Sequence, residues 1–127
     1  MRSLVVLTAI LLAVGSTQPV RADGDVAKGE KIFKKCKACH AVGEGSKNRV
    51  GPMLNGIVGA AAASVADFEY SQAFLAKKQE GLVWSEQNLT AYLENPKDFI
   101  NGTKMVFAGL KKPQERADLI AHLKTVK

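Results

Sequence analysis

The sequence predicts an all-α domain in which a few helices are joined by long loops around a ligand. Three observations carry this reading. Segments near residue 26 and near the end place apolar residues three and four positions apart, and no stretch alternates as a strand would. Between them, Ala41 to about Trp84 holds Gly43, Gly45, Gly51, Pro52, Gly56, Gly59 and Gly81 and shows no sustained period. A loop of that length argues against a compact domain unless it packs on something other than itself.

Taken in order, the first element is a leader. Arg2 supplies a positive start, and the apolar run from Leu4 to Val14 is too short to span a bilayer comfortably. Val20-Arg21-Ala22 offers the small residues a signal peptidase reads, so residues 1–22 are expected to be a cleaved signal peptide and residues 23–127 the domain. The competing reading is an uncleaved anchor. Removing residues 1–22 takes away two arginines, and the formal charge falls from +6 to +4. That modest lysine excess suits an acidic protein partner and is too scattered for nucleic acid.

Asp25 caps a first helix expected over Val26 to Lys35, with Val26, Gly29, Phe33 and Cys36 on one face. In the loop that follows, Ala60-Ala61-Ala62-Ala63 is a candidate helical turn. Ser85 caps a helix that Pro96 stops at Asn95, with Leu89, Tyr92 and Leu93 as its buried stripe. Lys97–Ile100 forms a short turn and Asn101-Gly102 another. Pro113 opens the last helix, which runs to about Lys124 with Leu119, Ile120 and Leu123 inward.

The chemistry is carried by Cys36-Lys37-Ala38-Cys39-His40, the spacing of a c-type haem attachment site. Two thiols three positions apart can add to two vinyl groups on one porphyrin edge. The adjacent imidazole is then held where a ring nitrogen reaches the iron. A thioredoxin-like pair would need a preceding strand. A structural zinc site would need a second ligand pair, and only His122 remains. A simple disulfide leaves His40 without a role. For the second axial position, Met53 directly follows Pro52 and should sit on the side of His40. Met105 lies far along the chain in a loop able to fold over the opposite face. His122 sits on the inner side of the last helix among Leu119 and Leu123. Met105 is the favoured ligand.

With those residues in hand, the chain resembles class I cytochromes c of the bacterial periplasmic kind, themselves similar to mitochondrial cytochrome c. The resemblance rests on Gly24-Asp25-Val26, Lys31-Ile32-Phe33, the Cys-His motif and Val50-Gly51-Pro52. It continues through Tyr92-Leu93-Glu94-Asn95-Pro96-Lys97, Gly102-Thr103-Lys104-Met105, Phe107–Lys112 and Glu115–Ala121. It implies the small cytochrome c fold, with first and last helices crossing and loops wrapped around one haem. Pro52 would then offer its carbonyl to His40, and Tyr70 and Trp84 would hydrogen-bond a propionate. Tyr92 and Thr103 would steady the Met105 sulfur, and Phe107 would cover the haem edge. The implied function is single-electron transport rather than catalysis, by a periplasmic monomer docking transiently on membrane complexes. A cytochrome bc1-type donor and a terminal oxidase or photosynthetic reaction-centre acceptor are the implied partners. Three departures stand out: Ala60 where the family often has Arg, Met53 for a common Asn, and His122 for a common Tyr. The competing classes are a peroxidase-like enzyme, a haem-based sensor and a disulfide-closed interaction domain.

Overall fold

The computed structural model describes residues 23–127, which form five helices and no strand. The leader expected over residues 1–22 and its cleavage point lie outside the described residues. The helices are α1 (Val26–Phe33), α2 (Gln72–Gln79), α3 (Glu86–Glu94), α4 (Pro96–Phe99) and α5 (Pro113–Leu123). None of them is long and apolar enough to cross a membrane.

α1 begins where Asp25 accepts the Lys28 N–H at 2.9 Å, as a capping carboxylate should. It buries Gly29 and Phe33 but leaves Val26 exposed, so the inward face is narrower than the spacing predicts. The α-helix stops at Phe33, two residues early. From there the chain tightens, with N–H groups of Lys34, Lys35 and Cys36 donating three residues back instead of four.

α1 crosses α5, and glycines permit the approach. A side chain at Gly29 would collide with the Asp118 carbonyl oxygen, and one at Gly24 with that of Ala117. Asp118 binds the two segments together: its Oδ1 accepts the Asp25 N–H at 2.7 Å and the Gln114 side-chain amide at 2.8 Å. Beside this contact, the rings of Phe33 and His122 lie 5.5 Å apart. His122 is therefore a buried packing residue of the crossing.

α3 follows its sequence signals. Ser85 accepts the Asn88 N–H at 3.1 Å, and Leu89, Tyr92 and Leu93 are buried. The expected turn after it is the single-turn α4, capped by Asn95 with Pro96 as its first residue. These helices and α5 share one core, in which Phe33, Trp84, Leu89, Tyr92, Ile100, Leu110, Leu119 and Leu123 pack together.

Two expectations in the long loop are corrected. The stretch is not wholly irregular, because Ser71 accepts the Phe74 N–H and starts α2. No residue of α2 is fully buried, which is why no apolar stripe betrays it. The alanine run is not a helical turn. Gly59 and Ala62 donate to Trp84 and Leu82 carbonyls at 2.7 and 2.8 Å, and Trp84 N–H donates to Ala60 at 2.8 Å. Ala61 pairs with Val83 in an isolated antiparallel bridge, and Ala63 has φ 52°. The Ala60 carbonyl and the Ala62 N–H thus find partners across the chain, which draws the run out of helical geometry.

Two outcomes follow from the crossing. Gly29→Val should destabilise the protein by about 3 kcal/mol or more, since backbone and side chain cannot share that space. Its guanidinium midpoint should fall well below that of an exposed α1 control such as Glu30→Ala. The Asp25 N–H holds the Asp118 carboxyl below the ordinary aspartate range; burial opposes it, while Gln114 and the Lys28 charge add to it. Asp118 therefore stabilises the fold fully above about pH 4 and loses that contribution as pH falls through its lower folded value. In acid titrations followed by circular dichroism, the stability difference between wild type and Asp118→Asn should shrink below pH 4.

Candidate functional site

The core helices and the long loop enclose a cavity of about 590 Å³. Phe33, Phe74, Leu89, Leu93, Leu119 and Leu123 line it from the helices, and Leu54, Ile57 and Phe68 from the loop. Its volume and mostly apolar wall are those of a site for one sizeable apolar ligand. Cys36, Cys39 and His40 stand on this wall, as do Pro52, Tyr70, Trp84, Tyr92, Thr103, Met105 and Phe107. All ten residues singled out in the sequence thus meet around one space, although they span seventy positions of chain.

The turn after α1 presents the Cys-His segment. Both Cys39 and His40 N–H groups donate to the Cys36 carbonyl, at 3.1 and 2.9 Å, curling the chain so that both thiols and the imidazole face the cavity. The two cysteines are not joined to each other in a disulfide. Burial pushes the Cys36 thiol up to about 11, against the pull of the Lys35 charge. A thiol so protonated is a poor redox nucleophile at neutral pH. Among the described residues, no three His, Cys, Asp or Glu side chains converge as a metal-ion site.

His40 is fixed from two sides. Its Nδ1 lies 2.7 Å from the Pro52 carbonyl oxygen, which can only accept, so Nδ1 carries the proton and Nε2 keeps its lone pair. The Gly51 backbone presses against the ring so closely that a side chain there would overlap it. Burial lowers the imidazole pKa below its ordinary value, and the Pro52 bond only partly opposes this. The neutral form, with a free Nε2 lone pair, is the stable one at pH 7.

Met105 is held by a closed circuit of hydrogen bonds. Its N–H donates to Thr103 Oγ1 at 3.3 Å, and Tyr92 O–H donates to its Sδ at 3.5 Å. Thr103 Oγ1 and Tyr92 Oη are 3.0 Å apart; with the tyrosine proton on sulfur, the threonine hydroxyl donates. Burial raises the Tyr92 pKa, and Thr103 tempers the rise. The other two candidates stand elsewhere. Met53 Sδ accepts the Ser46 hydroxyl at 3.9 Å off the cavity wall, and His122 packs on Phe33.

Tyr70 Oη accepts the Val65 N–H at 3.0 Å, which leaves the phenolic proton free to donate. Burial raises its pKa, so it stays protonated. Two wall residues were not foreseen. Phe74 on α2 joins the rings of Tyr70, Trp84 and Tyr92 at 5.9, 6.1 and 5.8 Å. Asn48 ties two loops together, donating to the Ala66 carbonyl and accepting the Met53 N–H. Neither sits in a periodic segment, so the sequence holds no signal for them.

A single-chain helical frame with a Cys-x-x-Cys-His turn opening into an apolar cavity defines a protein built around covalently attached haem. The comparison with known proteins agrees: the cytochrome c family pattern matches residues 26–127, and the chain belongs to that family. It is 54% identical over 101 residues to cytochrome c2 of Agrobacterium tumefaciens (strain II Chrys), covering 80% of this chain and 91% of that protein. It is 55% identical over 104 residues to cytochrome c2 of Rhodomicrobium vannielii, covering 82% and 81%. Among solved structures, cytochrome c2 from Rhodospirillum centenum aligns with TM-score 0.77 and 42% identity, covering 80% of this chain and 98% of that one. Cytochrome cH from Methylobacterium extorquens aligns with TM-score 0.73 and 46% identity, covering 80% and 99%. The chain is an electron carrier with covalent haem c, not an enzyme. Haem fits the residues present, since two thiols, a neutral imidazole and hydrocarbon walls are what it requires.

Two measurements check this site. Replacing both Cys36 and Cys39 with Ala should let acidified organic solvent extract the haem, whereas wild type should retain it. Tyr92→Phe and Thr103→Val should each cost about 1 kcal/mol in denaturant unfolding. The double variant should cost clearly less than their sum, because both belong to one circuit.

Proposed function

We propose that His40 and Met105 are the axial ligands of the haem iron, and that the protein is a soluble periplasmic shuttle exported by its leader. The observation that carries this reading is the presence around one cavity of a proton-fixed imidazole and a hydrogen-bonded thioether. When bound, haem supplies a one-electron ferric–ferrous couple. The protein's task is to hold it still, keep it dry and expose one edge. Pro52 keeps the Nε2 lone pair of His40 directed into the cavity, and Tyr92 with Thr103 keeps the Met105 sulfur in place. With His40 and Met105 both holding the iron, no position would be left for oxygen or a substrate. A thioether ligand and apolar walls favour the less charged ferrous state and raise the potential.

Tyr70 and Trp84 would donate to a propionate, and Phe107 would cover the haem edge. Lys35, Lys37, Lys97, Lys104, Lys111 and Lys112 are all exposed. Such a set steers acidic partners into short-lived encounters, for which about 1,200 Å² or less of buried surface is usual. A cytochrome bc1-type donor and a terminal oxidase or photosynthetic reaction-centre acceptor have the membrane-bound, transient character this implies. A monomer suffices for that role.

The deciding experiment is the absorption spectrum of the oxidised protein from the visible into the far red. A low-spin spectrum with the weak sulfur-to-iron band is expected, and Met105→Ala should abolish that band while leaving the haem attached. Retention of the band in Met105→Ala, or its loss in Met53→Ala instead, overturns the assignment.

A further inference from the structure

The sequence contains two Asn-Gly pairs, Asn55-Gly56 and Asn101-Gly102, and the fold treats them in opposite ways. Asparagine is among the thermolabile side chains, and a following glycine leaves its carboxamide open to attack by the next backbone nitrogen. Whether that reaction runs in a folded protein depends on whether the two groups are free to meet.

At Asn55 both are engaged. Its Oδ1 accepts the Gly43 N–H at 2.9 Å and the Ser46 hydroxyl at 3.1 Å, and its Nδ2 donates to the Gly43 carbonyl at 2.9 Å. The nucleophile is held as well, since the Gly56 N–H donates to the Val126 carbonyl at 2.8 Å.

Asn101 and Gly102 are both exposed. Among the described residues, no hydrogen bond engages the Asn101 carboxamide or the Gly102 N–H. The pair forms the tip of a turn closed by Thr103 N–H to the Ile100 carbonyl at 3.1 Å, with Gly102 at φ 92°. Positive φ at that position and not at Asn101 marks a type II turn. That bond closes the turn and Ala73 of α2 comes close to Gly102, but neither engages the Asn101 carboxamide or the Gly102 N–H.

We propose that Asn101 is a site of spontaneous deamidation in the folded protein, placed at the base of the loop that carries Met105. The Gly102 nitrogen attacks Asn101 Cγ, the new C–N bond closes a succinimide, and the Cγ–Nδ2 bond breaks. The proton from Gly102 leaves with Nδ2 as ammonia. Water then opens the ring at either carbonyl, giving Asp or isoaspartate with no change in oxidation state. Either product replaces a neutral side chain with a carboxylate between Lys97 and Lys104. Isoaspartate also lengthens the main chain by one carbon inside the turn that positions Thr103, the residue whose Oγ1 receives the Met105 N–H.

The test is to age the haem-loaded protein in warm, mildly alkaline buffer and map it with trypsin and mass spectrometry. The peptide Asp98–Lys104 should gain about one dalton and split into aspartate and isoaspartate forms. It should do so at least about tenfold faster than Val50–Lys77, because Asn55 must first break several hydrogen bonds. In denaturant the two sites should react at similar rates, showing that the fold makes the difference. Asn101→Gln should abolish the new acidic isoform on ion exchange. A folded-state rate at Asn101 no faster than that at Asn55 overturns the proposal, as does an acidic isoform that survives Asn101→Gln.

Discussion

The crossing of α1 over α5 is the contact on which the rest of this structure depends. Only glycine at 29 and 24 lets backbone meet backbone there, and the buried Asp118 carboxylate then pins the start of α1 to α5. Once that crossing is made, the end of α1 has one position, with Phe33 packed into the shared core. The Cys36–His40 turn grows directly from that end, so the site inherits its placement from a helix contact made several residues earlier. A residue that never touches the cavity thereby decides where the chemistry stands.

The Met105 part of the wall is positioned by a different device, because Met105 sits in a segment without regular structure. Its loop is anchored beyond the methionine as well as at it. A side chain at Gly109 would overlap the Glu94 carbonyl, Leu110 N–H donates to the Leu93 carbonyl at 2.7 Å, and Lys111 Nζ reaches the Glu94 carbonyl at 2.7 Å. Buried Arg116 on α5 donates to the Leu110 carbonyl at 2.7 Å, although its Nε finds no partner among the described residues. Three orphan carbonyls near the end of α3 and the loop are satisfied in this way, which closes the loop onto the frame.

What could be read in the sequence divides along these lines. The capped, periodic helices α1, α3 and α5 were legible because Asp25, Ser85, Pro96 and Pro113 mark their ends and their buried faces repeat. The thiols and His40 were legible because their spacing is local. α2 was not, since its eight residues lie against the loop without burying a stripe. The alanine run misled for a related reason: helix propensity is a weak prior, and partners at Leu82 and Trp84 overrode it. Family resemblance, not periodicity, pointed to Tyr70 and Thr103, because contacts between loops leave no period; Tyr92 was read as part of the α3 stripe, and only the resemblance tied it to Met105. Phe74 and Asn48 escaped both routes.

An electron carrier has to hold its cofactor in two charge states, and whatever rearranges between them slows transfer. This fold meets that demand without surrounding the site with helices. The group that orients His40 is a backbone carbonyl of a proline, which has no rotamer to change. The groups that orient Met105 form a ring in which each hydroxyl both gives and receives, so none can turn away without breaking two bonds. Between them, Phe74, Trp84, Tyr92 and Phe99 pack at centroid distances from 5.0 to 6.3 Å, leaving the rings little room to reorient. Irregular backbone and a rigid site are compatible here because the rigidity comes from directional bonds and ring packing at the wall itself.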